Sequence, residues 1–183
     1  MKRLPITILF LLTALLLCAC TVSSPDPEAA TYDYAALYAQ VLDELAASDP
    51  GLMSDIRYVS VDLSRAPGEL SEESCVAIAQ AFADAHDAEC LTLSYEELIE
   101  QGYLTDLNPE QADHKLYQWD DGVLFRIVPG GSFHEDTSPA DPAQFDAQMW
   151  RSPLGAYFFL NCTPRWAADG SCLGFDRGAE AIS

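Results

Sequence analysis

Residues 4–17 form a nearly unbroken apolar run behind the positive side chains of Lys2 and Arg3. As a helix, these fourteen positions would rise about 21 Å, short of a bilayer core of about 30 Å. A short positive start followed by an apolar stretch of this length is the pattern of a signal-peptide core. The segment is therefore expected to be an address, and the body of the chain must fold without it. Of the 183 residues, 164 follow position 19. That is enough for one domain of ordinary size.

The apolar run ends Leu17-Cys18-Ala19-Cys20. This resembles the bacterial lipoprotein box, with an aliphatic residue at −3, a small residue at −1 and an obligatory cysteine. Cys18 departs from the usual Ala, Ser or Thr at −2, and a small thiol fits there. The resemblance covers residues 2–20. It implies cleavage between Ala19 and Cys20 and a diacylglyceryl thioether on Cys20. The protein would then be lipid-anchored on the extracytoplasmic face of a bacterial membrane, with the bilayer as its partner through Cys20. Two acyl chains hold where one does not, at about 0.8 kcal/mol per buried CH2. The alternative is an ordinary secretory signal with incidental cysteines. The body is similar only to small exported lipoproteins and carries no recognisable active-site motif.

Residues 21–31 (TVSSPDPEAAT) lack apolar periodicity, contain Pro25 and Pro27, and read as a tether. The expected organisation is thus a signal peptide over 1–19, a lipidated cysteine and flexible tether over 20–31, and a single domain over 32–183. Charge bears on the partners of that domain. The chain carries 29 acidic and 9 basic side chains, a net charge of −20. Loss of Lys2 and Arg3 leaves seven basic groups and a charge of −22. Phosphate backbones would be repelled, so a nucleic-acid partner is not expected. An anionic phospholipid surface would likewise push the body away. A hydrophobic content of 49% argues against a wholly disordered acidic chain.

Within the body, Tyr34, Leu37, Tyr38, Val41 and Leu45 follow helical spacing, which predicts a helix over 33–47 that stops at Asp49-Pro50-Gly51. Residues 56–63 alternate like a strand, with Val59, Val61 and Leu63 on one face. A second helix is predicted over 72–88, with Ser71 as its N-cap and Glu72 and Glu73 at the positive end of its dipole. Ser94 and Glu97 make a capping box, flanked by a Leu93–Leu98 staple, and Gly102 suits a left-handed end. Strands are predicted over 123–128, 144–151, 155–163 and 171–176, with a hairpin turn at Asp169-Gly170. Helices come first and strands last. The expected class is therefore α+β, with N-terminal helices packed on a C-terminal antiparallel sheet, by analogy with cystatin-like or NTF2-like folds.

The cysteines of the body are Cys75, Cys90, Cys162 and Cys172. Outside the cytoplasm these could pair, and Cys162–Cys172 is the candidate disulfide. A two-residue turn at Asp169-Gly170 would hold the two thiols apart, whereas a wider loop would admit the bridge. Cys75 and His86 share a helix face but stand about 16 Å apart along it, too far for a nucleophile–base pair. There is no C-x-x-C or H-E-x-x-H spacing, no P-loop and no G-x-S-x-G. His134-Glu135-Asp136 only begins like a zinc motif. Asp120-Asp121 and Glu135-Asp136 do not match a calcium loop. No metal or cofactor is expected.

Aromatic residues concentrate in the second half, and Trp150, Tyr157 and Phe159 form the candidate ligand surface, with Arg126 and Arg151 as charged neighbours. The reading favoured by these features is a surface-tethered, non-catalytic binding or interaction module for an unknown protein or small molecule. An exported enzyme with a cleft between helix and sheet is the alternative.

Overall fold

The computed structural model describes residues 31–111, 113–133 and 143–183. The predicted leader, Ala19, Cys20, nearly all of the tether and the His134-Glu135-Asp136 segment lie outside the described residues. Residues 31–183 form one unit.

Helix α1 spans Tyr34–Ser48 and begins where the Asp33 carboxylate accepts from the Ala36 N–H at 2.9 Å. Its buried stripe is Leu37, Tyr38, Val41, Leu42 and Leu45. Strand β1 covers Tyr58–Asp62, and helix α2 covers Glu72–Ala85 behind its Ser71 cap. The helix stops three residues short of the predicted end. Asp87 takes a left-handed conformation, φ 53°, and the Ala88 N–H turns back to the Ala83 carbonyl at 3.0 Å. That is a Schellman ending built on aspartate rather than glycine. Strand β2 follows at Glu89–Leu91, and α3, Tyr95–Glu100, carries the complete capping box. Gly102 closes α3 at φ 78°.

A small hairpin of β3, Thr105–Asp106, and β4, Tyr117–Gln118, comes next. Then follow β5 Gly122–Pro129, β6 Phe145–Ser152, β7 Gly155–Trp166, β8 Cys172–Asp176 and β9 Ala179–Ile182. The main sheet has seven strands in the order β2-β1-β5-β6-β7-β8, with β9 also pairing β7. β1 runs parallel to both β2 and β5, and the remaining pairs are antiparallel. The sheet curls. Register shifts in the β6–β7 ladder and a left-handed Asn161, φ 51°, add local twist.

This corrects the expected architecture. Helices α1, α2 and α3 are short, at 15, 14 and 6 residues, and they do not pack on an antiparallel sheet. The sheet is mixed, and the cystatin-like and NTF2-like analogies fall with the antiparallel assumption. The physical reason lies in β1. Its alternation specifies which side chains face which way and leaves the direction of its neighbours open. α2 carries the chain from β1 to β2 as a crossover, so these two strands come to lie parallel.

Hydrophobic side chains pack on both faces of the sheet. On one face α1 and α2 cover Val59, Val61, Phe125, Ile127, Met149 and Phe159. On the other, α3 and Trp119 pack with Tyr58, Leu124, Trp150 and Ala156. Polar side chains interrupt this second face at Ser60, Asp62, Arg126 and Gln148.

Candidate functional site

β1 lies between β2, reached through α2, and β5, reached through the later part of the chain. A crevice opens beyond the carboxyl end of a strand flanked this way, and α/β sheets hold ligands at such switch points. A cleft of about 480 Å³ lies there. Val61, Asp62, Leu63 and Ser64 form its floor at the end of β1. Leu70 and the first turns of α2, with Glu72, Cys75 and Val76, form one wall, and Thr92 closes the side next to β2.

Asp62 is the most buried charge in the lining, 9% exposed. Its Oδ1 accepts from the Ser64 N–H at 3.0 Å and the Ser64 hydroxyl at 2.6 Å, an Asx turn that ends the strand. Across the β1–β5 ladder Asp62 faces Arg126. The Arg126 guanidinium gives both Nε, at 2.9 Å, and Nη2 to Gln148 Oε1. It lies 5.1 Å from the Phe133 ring and 5.9 Å from the Tyr95 ring. Burial lowers its pKa from the ordinary arginine value, while Asp62 and Glu96 pull the other way. An arginine stays protonated under such opposing effects.

The wall side of the cleft is electrically settled. The Ser71 hydroxyl accepts from the Ser74 N–H at 3.1 Å, and Glu72 and Glu73 occupy the first turn of α2. The positive end of that helix already has its negative complement. Burial raises the Cys75 thiol, so it is protonated at neutral pH and a poor nucleophile.

Of the residues singled out in the sequence, the structure does not bring Trp150, Tyr157 and Phe159 onto one surface. Trp150 is buried on the α3 face, and Phe159 is fully buried on the α1 face. Tyr157 shares the side of Phe159, and its hydroxyl donates to Glu180. Glu180 also receives Arg177 at 2.7 Å. The same Arg177 reaches Glu44 of α1 at 2.5 Å and sits 4.0 Å over the Phe159 ring. That set ties β9 to α1 and β7. Arg151 is committed as well. Its guanidinium donates to the carbonyls of Leu52, Ser54, Trp119 and Asp120, locking the loop after α1 against β6.

Cys162 and Cys172 stand apart, and all four body cysteines are free thiols. The hairpin pairs Trp166 with Cys172, so Cys162 lies four positions along β7, about 13 Å away. A disulfide needs a Cα separation of roughly 4.4–6.8 Å. The hairpin loop is wider than two residues, closing Ala167 onto Ser171 with Gly170 at φ 85°, yet that widening does not bring the thiols together. His86 caps the far end of α2, with its ring 4.6 Å from Phe82 and away from Cys75. Asp120 accepts from Thr105 and Gln118 and serves the small hairpin.

No family model, curated protein or solved structure matches this chain. Among the described residues, no group of three or more His, Cys, Asp or Glu side chains could hold a metal ion. Among the same residues, no helix is long and apolar enough to cross a membrane.

The cleft was missed in the sequence because its parts are scattered. Asp62 and Ser64, α2 and Thr92 each look ordinary alone. One signal was present: strand, helix and short strand in succession over 56–93, the pattern of a parallel crossover, with Asp-x-Ser at the first strand's end.

Proposed function

We propose that this protein is an acidic lipoprotein of a bacterial cell envelope, held by a lipidated Cys20, whose folded body is a non-catalytic binding module with its site in the β1 cleft. The observation that carries the binding role is the cleft itself, open at the carboxyl end of β1 and lined by residues of that strand end, the first turns of α2 and Thr92. The lining is suited to holding a ligand rather than transforming one. Asp62 is fixed by Ser64, and the Cys75 thiol is kept protonated by burial. The anchor rests on Leu17-Cys18-Ala19-Cys20 and the apolar run before it.

Fractionation of cells expressing the native chain and Cys20→Ser tests the anchor. The native protein is expected in the membrane fraction with incorporated fatty acid, and the variant in the soluble fraction without it. A variant that remains membrane-bound and labelled would overturn the assignment.

A further inference from the structure

We propose that the β1 cleft takes a small neutral molecule, an apolar body carrying one hydrogen-bonding group such as a hydroxyl or an amide. The inference rests on the reading of the body as a binding module and adds the chemistry of what it binds.

The cleft walls continue the main core. Alternation along β1 turns Val61 and Leu63 to the α1 and α2 side of the sheet, where both are nearly buried. It turns Asp62 to the other side, opposite Arg126. Ala66, Leu70 and Cys75 pack on the same core from the cleft, and Val76 is half exposed at its mouth. A volume of about 480 Å³ falls within the span of small-molecule sites, about 300–1,000 Å³.

These walls offer no counter-ion. The Asp62 carboxylate is held by Ser64 and offset by Arg126 on the far face. Among the described lining residues that leaves Glu72, exposed on the first turn of α2, as the one charged side chain on the cleft side. An anion would meet Glu72 and a chain of net charge −20. An ammonium drawn onto the apolar walls would lose hydration with no carboxylate at that depth to replace it. A neutral guest meets neither obstacle.

Hydrogen-bonding groups lie at the side next to β2. The β1–β2 ladder ends at Ser60–Leu91. The Glu89 N–H donates to the Arg57 carbonyl at 2.8 Å, so alternation points the Val59 and Val61 carbonyls to the same side. The Leu93 N–H, which would make the next rung, donates to the Ser60 hydroxyl at 2.9 Å instead. The Val61 carbonyl therefore has no strand opposite it. Thr92, beside it in the lining, is exposed, and its hydroxyl makes no hydrogen bond to a described residue. One acceptor and one hydroxyl at the edge of an apolar cleft suit a guest with a single polar group.

Cyclohexanol, cyclohexylammonium and cyclohexanecarboxylate share a ring and differ in head group. Each is titrated into the full chain in detergent, with amide shifts at Leu63, Cys75 and Thr92 plotted against the probe's aqueous concentration. Cyclohexanol should move these amides saturably, and the two ions should bind about tenfold more weakly or less. Val76→Asp, at an exposed position, should weaken cyclohexanol about fivefold, and undiminished affinity would overturn the site. In the native chain, cyclohexanol should also slow alkylation of Cys75 and leave Cys172 unchanged. An unchanged Cys75 rate at saturation would overturn the site without recourse to a variant. An ion that equals or exceeds cyclohexanol would overturn the neutral class and leave the cleft a binding site. Silence from all three would overturn this proposal and the binding reading together.

Discussion

Single residues hold this molecule by close fit more than by ion pairs. Gly122 opens β5 directly against Trp119, and a Cβ there would lie 2.0 Å from the indole Cε2. Gly122→Ala should therefore displace the indole and destabilise the fold by about 1–3 kcal/mol, read as a lower urea midpoint. An unchanged midpoint would mean that the indole has room the structure does not show. Cysteines give a second residue-level prediction. Burial pushes the Cys162 thiol up to about 12, and its side chain is fully buried. Alkylation without reductant should leave Cys162 untouched in the folded protein and modify Cys75, Cys90, Cys162 and Cys172 after unfolding. Two or more protected cysteines in the unfolded, unreduced chain would show a disulfide and contradict the separation of Cys162 from Cys172.

At the scale of elements, the best local signals in the sequence proved to be structural. The Ser94 hydroxyl accepts from the Glu97 N–H at 3.3 Å, and the Glu97 carboxylate accepts from the Ser94 N–H at 2.8 Å. Ser94→Ala should cost about 1 kcal/mol, seen as a lower Tm. The same box has a pH signature. The Ser94 backbone N–H, with its hydroxyl second, holds the Glu97 carboxyl below its ordinary value of 4.5. A depressed folded pKa contributes stability that is present above the unfolded value and is lost as pH falls through the folded one. Acid unfolding below about pH 4.5 should therefore become shallower in Ser94→Ala. Caps, helix stripes and strand faces were legible because each is written within a few neighbouring residues. The Asp87 stop of α2, the β3–β4 hairpin and β9 were not, since each is secured by backbone contacts that side-chain periodicity does not encode. The parallel pairing of β1 with β5 was likewise hidden, and with it the meeting of Asp62 and Arg126 from distant parts of the chain. The aromatic residues misled for a related reason. Alternation does place Tyr157 and Phe159 on one face, but what covers that face is α1, not a ligand.

For the whole molecule, charge bears on the proposed anchoring. A chain with 29 acidic and 9 basic side chains repels itself, so its Tm should rise as sodium chloride screens the excess carboxylates. A Tm that falls with salt would point instead to stabilisation dominated by exposed pairs such as Arg57–Glu89. The same charge would hold the body off an anionic lipid surface while the tether keeps it near, leaving the β1 cleft open to the surrounding fluid. This arrangement depends on Cys20 being the first residue of the working protein. Intact mass of the protein extracted from membranes tests that most directly. The account predicts a chain of residues 20–183 carrying the added mass of a diacylglyceryl group. The full 20.0 kDa precursor, or an unlipidated chain beginning elsewhere, would contradict it.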